Sequence, residues 1–231
     1  MAKQLHPRSP VAQRTAGITL DHAAPLYDWL APLMTLGSEH RLHRQVVARL
    51  ALTRASTVLD IGCGTGALTR RIYDALPVTA PRRVSGIDAA EAMIAVAHKK
   101  TGNRPGLEFA AALAEELPWP DAAFERVVST FFFHHLPFDL KVKSLTEIWR
   151  VLRPGGQAVI LDVDIPYSFF GKVCAWSGYW LFHQAEIAEN IRGKLRAAMD
   201  ASPWHGQWQI ASRHSGYLSL FTMTKPSENH P

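Results

Sequence analysis

Cysteine is nearly absent: Cys63 and Cys174 are the only two in 231 residues. Two thiols cannot build a disulfide scaffold or a cysteine-based zinc site, and a reducing compartment is the expected home. No stretch reaches about 18 uninterrupted apolar residues, the length that would read as a membrane span. The nearest is YSFFGKVCAWSGYWLF over Tyr167–Phe182, which Lys172 and two glycines interrupt. It reads as an aromatic lid or as a helix lying in a membrane interface. The first 20 residues contain no acid, but they also lack the apolar core of a secretory signal. A flexible tail over 1–20 is the plainer reading beside an organelle transit peptide. Internal repeats, low-complexity tracts and a His-x-x-x-His zinc helix are missing too, and no metal is expected.

What is present describes an ordinary globular chain. Hydrophobic residues make up 47% and charged residues 19% of the sequence, with 25 Lys and Arg against 20 Asp and Glu for a net charge of +5. That surplus is too small to choose among nucleic acid, an anionic membrane and an anionic substrate. Length suits one large domain with additions, placed at 21–225, with a further tail at 226–231. A cytoplasmic protein, with membrane association left open by the aromatic run, is the expectation.

The centre of the chain alternates short β-branched runs with helical periodicity. Thr57–Ile61, Val84–Ile87, Leu107–Ala111, Arg126–Thr130 and Gln157–Val163 read as strands. Ala67–Leu76, Ala90–Lys100 and Asp139–Leu152 read as helices, the last stopped by Arg153-Pro154-Gly155-Gly156. Gln207–Arg213 and Tyr217–Thr224 suggest a closing hairpin. Strand alternating with helix predicts an α/β fold: a doubly wound, Rossmann-like, seven-stranded sheet, mostly parallel with a C-terminal antiparallel hairpin and helices on both faces. Residues 21–52 are expected to form a helical cap over the sheet, and 165–205 an aromatic-rich lid or acceptor insert. Ligands of such sheets bind beyond the carboxyl ends of the strands.

The strongest local signal is Asp60-Ile61-Gly62-Cys63-Gly64-Thr65-Gly66, between a strand and a helix. Its glycines permit positive φ and close approach of the backbone to a ligand. Taken alone, the glycines also fit a dinucleotide fingerprint. An acid directly upstream opposes a pyrophosphate there and suits a ligand with a cationic head, such as a methionine α-ammonium. The pattern resembles motif I of the class I S-adenosylmethionine (SAM)-dependent methyltransferases. Gly86-Ile87-Asp88, LPWPDAAFERVV, STFFFHHLP and WRVLRPGGQAVILD match further segments of that family in order, and the resemblance covers roughly Tyr27 to Lys225. LYDWLAPLMTLGSEHRLHRQ before motif I is similar to the opening of the ubiquinone/menaquinone-biosynthesis C-methyltransferases.

The resemblance implies SAM as cofactor and a small, apolar or aromatic acceptor, with no nucleic-acid partner. Asp60, Gly62, Cys63 (through its backbone), Gly64, Thr65, Gly66 and Thr130 are the expected cofactor contacts of the loop and fourth strand. Asp88 is the ribose-binding acid, flanked by Ala89 and Met93. The family's adenine-binding Asp is replaced by Leu113, which leaves the backbone of Ala114, or Glu115, to meet the adenine amine. Tyr27 matches an aromatic that closes over the methyl group, unless its helix simply packs on the sheet. His134 and His135 are candidates for a general base, His135 ahead of His134, with a scaffold role as the plainer alternative. Asp162 and Asp164, after the fifth strand, read as solvated acids or caps, the alternative being that burial raises the pKa of one and makes it a proton acceptor. STFFFHHLP replaces the Arg-Asn type segment of the quinone enzymes, so the subfamily is held more firmly than a quinone acceptor. A thiol, a metalloid or a phospholipid amine stays open as acceptor. So do a nicotinamide-dependent reductase, against which stands the lack of any Tyr-x-x-x-Lys pair, and a non-catalytic SAM-binding module. The scattered basic residues and the missing Asp-Pro-Pro-Tyr clamp after the fourth strand argue against a nucleic-acid substrate.

Overall fold

A computed structural model describes residues 8–19, 37–53, 56–78, 81–182 and 184–227. Helix α1 (Glu39–Arg49) leads into β1 (Thr57–Ile61), α2 (Ala67–Ala75), β2 (Arg83–Asp88), α3 (Glu91–Thr101), β3 (Leu107–Ala111) and β4 (Phe124–Thr130). Then come α4 (Phe138–Val151), β5 (Leu152–Val163), α5 (Phe169–Phe182), α6 (Ala185–Ile191), α7 (Lys194–Asp200), β6 (Trp208–His214) and β7 (Leu218–Thr224).

The seven strands form one sheet in the order β3-β2-β1-β4-β5-β7-β6. β1, β2, β3, β4 and β5 run parallel, and β7 joins β5 and β6 antiparallel. The order reverses between β1 and β4. That switch point opens a crevice above their carboxyl ends, flanked by the turns after β1, β2 and β4.

Strand periodicity divides the core between the two faces. Val58, Val84, Leu107, Val128, Val159 and Leu161 bury one face with Leu42 and Val46 of α1, Leu68 and Ile72 of α2, and Ile94 and Ala97 of α3. Leu59, Ile61, Ile87, Val127, Ala158 and Ile160 bury the other with Leu145 and Ile148 of α4 and Leu195 and Ala198 of α7. Burial on both faces explains the near-continuous apolar runs of β1 and β5.

Some boundaries differ from the sequence reading. β5 begins at Leu152, immediately after α4, and so contains the Arg-Pro-Gly-Gly breaker. Leu152 pairs with Phe124, and a bulge between Phe124 and Arg126 takes up the irregularity. Of the expected cap at 21–52, α1 is described, and residues 21–36, including Tyr27, lie outside the described residues. The 165–205 insert is helical, as α5, α6 and α7. Within the first 20 residues, 8–19 differ from the expected loose tail. Ala12 is fully buried in a 3-10 turn. Arg8 donates to the Thr15 and Gly17 carbonyls at 3.1 and 2.9 Å, and the Ile18 N–H reaches the His135 carbonyl at 3.0 Å.

The insert is pinned by Asp164, which is neither a solvated acid nor a cap. Its carboxylate is 0% exposed and accepts Arg196 Nε at 2.8 Å and Nη2 at 2.5 Å, with the Ser219 hydroxyl also at 2.5 Å. This fork ties α7 to the end of β5 and to β7. Removing one partner strands a buried charge, which typically costs about 3–5 kcal/mol. Because the Arg196 side chain is 24% exposed, Arg196→Ala is expected at the lower end, a loss of about 3 kcal/mol in urea unfolding. A change under about 0.5 kcal/mol, ordinary for a surface substitution, would show that the pair does not anchor the insert.

Candidate functional site

The crevice at the switch point holds about 660 Å³ of empty space, its open mouth included. Gly62 and Gly64 line it from the turn after β1, and Asp88, Ala89 and Met93 from the turn after β2. Ala112, Ala114 and Glu115 line it after β3, and Phe131, Phe132, His135 and Leu136 after β4. Thr15, Gly17, Ile18 and Thr19 close it from the N-terminal segment.

The glycine turn is left-handed at Gly62 (φ 71°), Gly64 (φ 52°) and Gly66 (φ 75°). A Cβ on Gly62 would meet the Phe132 ring at 2.6 Å, and one on Gly66 would meet the Phe109 ring at 2.7 Å. Two of the three glycines thus serve close packing under the turn as well as its backbone angles. The Cys63 N–H bonds the Ile87 carbonyl at 2.8 Å, and the Gly64 N–H bonds Asp88 Oδ2 at 3.0 Å. Asp88 Oδ1 accepts the Ala90 N–H at 2.9 Å. Asp88 therefore joins the β1 turn to the start of α3, and its half-buried carboxylate borders the cavity.

Asp60 is placed differently from the expectation of a direct ligand contact. It is 1% exposed, borders no part of the cavity and accepts the Thr69 hydroxyl at 2.6 Å. Burial pushes its pKa up to about 7; the Thr69 hydrogen bond works against this and the charge of Asp88 adds to it. Its last-but-one position on a strand buried on both faces is the reason. The Cys63 thiol is buried as well, its pKa raised by burial and then by the charges of Asp60 and Asp88. Cys63, Thr65, Gly66 and Thr130 do not border the cavity: Thr65 and Gly66 lead into α2, and Thr130 remains in the β4 ladder.

The turn after β4 is organised by Asp162, which is buried rather than solvated. Its Oδ2 accepts the Phe132 and Phe133 N–H groups at 3.0 and 2.7 Å. Its Oδ1 accepts the Val163 N–H and the His134 ring, both at 2.7 Å. Burial alone would raise its pKa, but the His134 ring and the Val163 N–H outweigh that and hold it below the usual carboxylate range. His134 thus belongs to the scaffold: it is buried, it is committed to Asp162, and it borders no part of the cavity. Phe131 has φ 54°, a left-handed conformation unusual for a bulky residue. Such strain persists only where neighbours over-determine it; here the Phe131 N–H bonds the Leu161 carbonyl at 2.9 Å, and Asp162 grips the next two amides.

His135 does reach the cavity. Its Nδ1 lies 3.1 Å from Gln184 Oε1, so the neutral ring carries its proton on Nδ1 and keeps Nε2 as a lone-pair acceptor. Burial lowers its pKa to about 3, with His134 lowering it further and Asp162 opposing. It offers a hydrogen-bond acceptor and only a weak base. Helix α6 braces this turn and the end of β5: Glu189 Oε2 lies 3.3 Å from Lys141 Nζ, which donates to the Leu136 carbonyl, and Asn190 Nδ2 donates to the Val163 carbonyl at 3.2 Å.

Leu113, at the position of the missing adenine-binding acid, is 6% exposed and packs inward. Ala114 and Glu115 border the cavity in its place. Phe131, Phe132 and Leu136 were legible only as members of a post-strand segment. Thr15–Thr19 carry no chemical motif, and nothing in their sequence announces them.

A family profile described as a methyltransferase domain matches residues 58–156. The chain is 28% identical over 211 residues to a demethylmenaquinone methyltransferase of Symbiobacterium thermophilum, covering 86% of this chain and 82% of that protein. It is 33% identical over 176 residues to a demethylmenaquinone methyltransferase of Lactiplantibacillus plantarum, covering 71% and 73%. In fold it is similar to a SAM-dependent methyltransferase of Methanosarcina mazei, with a TM-score of 0.58 at 17% identity, over 79% of this chain and 98% of that one.

Two titrations test the site's electrostatics. With its pKa near 3, His135 should show no ring titration by NMR between about pH 5 and 8, where a free histidine turns over; a midpoint near 6 would contradict the burial argument. Asp60 has a folded pKa of about 7, above the value near 4 expected when unfolded. It therefore contributes stability that is complete below about pH 4 and lost as pH rises through 7. Asp60→Asn should flatten the change of melting temperature across that window. An unchanged slope would show that Asp60 is ionised throughout.

Proposed function

The chain belongs to the class I SAM-dependent methyltransferases, and we propose that its acceptor is a small apolar or aromatic molecule, quinol-like or phenol-like, methylated on carbon or oxygen. The observation that carries this reading is that Phe131, Phe132 and Leu136, with His135, line one cavity together with the glycine turn. The similarity to demethylmenaquinone methyltransferases supports it.

The residues present fit SAM. The turn presents only Gly62 and Gly64 to the cavity, which leaves room for the methionine end. Asp88 can accept from ribose hydroxyls, since a carboxylate has about four acceptor sites. Ala89, Met93, Ala112 and Ala114 offer an apolar slot for a purine, and the backbone at Ala114 and Glu115 faces the place where its amine would lie. Asp60 lies beneath the turn, where a bound ammonium would favour its ionised form, and so acts through its field rather than by contact. Thr65, Gly66 and the Cys63 backbone hold the turn's shape. Thr130 supports the strand that presents Phe131 and Phe132.

SAM supplies an electrophilic methyl group on a sulfonium whose departure leaves a neutral thioether. The chain's contribution is therefore position and exclusion of water. The Phe131 and Phe132 rings favour a cation over their faces and present an apolar floor to the acceptor. The 8–19 segment roofs the cavity through Thr15, Gly17, Ile18 and Thr19. His135 Nε2 accepts a hydrogen bond from an acceptor hydroxyl and orients it. With a pKa near 3, His135 does not retain a proton at neutral pH, so an acceptor proton passes on to solvent. This favours acceptors that ionise readily, as phenols and quinols do.

Calorimetry tests the cofactor assignment. Asp88→Ala removes charge-assisted bonds worth about 1.5–3 kcal/mol, so SAM affinity should fall by about 10- to 100-fold; an unchanged dissociation constant removes Asp88 from the site. Mass spectrometry after incubation with SAM tests the acceptor. Among quinols, phenols, thiols and phospholipid amines, one added methyl is expected on the quinol or phenol set. Turnover confined to the thiols or the amines would replace the proposed class.

A further inference from the structure

Helix α5 carries its large apolar side chains outward. Phe169, Phe170, Val173 and Trp180 are 85%, 59%, 53% and 65% exposed. At 100° per residue, Phe169, Val173 and Trp180 fall within about 40° of one another, along a stripe roughly 16 Å long. The opposite side of the helix holds small residues. Gly171 and Ala175 are buried, and Gly171 sits so close to Gly216 of the β6–β7 turn that a Cβ would lie 2.0 Å from its carbonyl oxygen. Trp176 and Tyr179 also pack partly against the domain core, while Phe169, Phe170, Val173 and Trp180 meet water. Contiguous apolar surface of this kind marks an interaction site.

The helix itself carries charge of one sign, and the nearest acids along the chain after it, Glu186 and Glu189, belong to α6. From Ile165 to Ala185 there is no Asp or Glu, and Lys172 stands exposed in the middle. The Arg213 guanidinium lies 5.2 Å from the centroid of the Tyr167 ring, and that of Arg192 lies 5.6 Å from the Trp176 ring. Arg41 of α1 is near enough to His214 to depress its pKa, after burial. Aromatic residues rimmed by Lys and Arg are the composition of a helix lying in the headgroup layer of a bilayer. The same cations would face one another across a two-fold contact between copies, which disfavours self-association.

We propose that α5 docks the protein flat on an anionic lipid surface, with Phe169, Val173 and Trp180 entering the acyl boundary and Lys172 and Arg213 meeting the headgroups. Among the described residues no helix is long and apolar enough to cross a membrane; the contact is with one leaflet. Its position has a consequence for the site. Gln184, two residues beyond the end of α5, holds the His135 ring, so the docked helix lies beside the acceptor wall.

The test is co-sedimentation of the full chain with vesicles of phosphatidylcholine alone and of phosphatidylcholine mixed equally with phosphatidylglycerol, without methyl donor or acceptor. Binding is therefore read independently of methyl transfer, and a failure leaves the catalytic reading standing. The chain should pellet with the mixed vesicles and much less with phosphatidylcholine alone. The triple variant Phe169→Ser, Val173→Ser, Trp180→Ser should partition at least about tenfold more weakly. Lys172→Glu with Arg213→Glu should abolish the preference for the anionic lipid. All substituted apolar side chains are exposed, so melting temperature and SAM affinity should remain as in the unaltered chain. No pelleting with mixed vesicles, or equal pelleting of the triple variant, overturns the proposal. So does a dimer in light scattering that the triple variant abolishes while lipid binding is absent, which would assign the stripe to a second copy.

Discussion

The carboxylate of Asp162 holds the site together. It is buried at the end of β5, where an ionised group survives only if its oxygens are met by donors. Those donors are the amides of Phe132, Phe133 and Val163 and the ring of His134. Satisfying that charge bends the chain after β4 and keeps Phe131 in a conformation it would otherwise leave. The bend lays Phe132 against Gly62 and delivers His135 and Leu136 to the cavity. One buried charge on β5 thereby fixes the wall that faces the acceptor.

Two further carboxylates divide the other side of the crevice. Asp88 borders the cavity and ties the β1 turn to α3. Asp60 lies beneath the turn, its charge disfavoured by burial and supported by Thr69. The contrast follows from strand position: Asp88 ends its strand, while Asp60 is followed by one more buried strand residue. A methyl transfer with a neutral leaving group needs little proton chemistry from the protein, which agrees with a His135 that burial keeps neutral. What the fold supplies is alignment at the switch point and a roof from residues 8–19.

Much of this was legible in the sequence. β1 and β3 fall on the residues that β-branched and apolar patterning marks, and the sheet follows from alternating strands and helices. Gly62, Gly64, Asp88, Ala89, Met93, Ala114, Glu115 and His135 do border one cavity. Other features depend on tertiary contacts that no local pattern encodes. Whether His134 or His135 faces the cavity is decided by Asp162, about 28 residues away and on another strand. Whether Asp60 touches a ligand depends on how deeply β1 is buried. Residues 8–19 look like a tail because their stability comes from Arg8 reaching back to their own carbonyls and from a bond to His135, and neither leaves a periodic trace. Arg153-Pro154-Gly155-Gly156 stops the helix as its glycines and proline indicate, but the strand begins before it, at Leu152, because Leu152 pairs with Phe124 and an irregularity between Phe124 and Arg126 takes up the four residues.

The central claim is that the methyl donor lies in the crevice between the turns after β1, β2 and β4. A crystal structure with S-adenosylhomocysteine, the demethylated donor, tests it most directly. Density should place both ribose hydroxyls on the Asp88 carboxylate, the purine against Met93 and Ala114, and the sulfur facing Phe132 and His135. A nucleoside bound elsewhere, or one whose ribose turns away from Asp88, would contradict it.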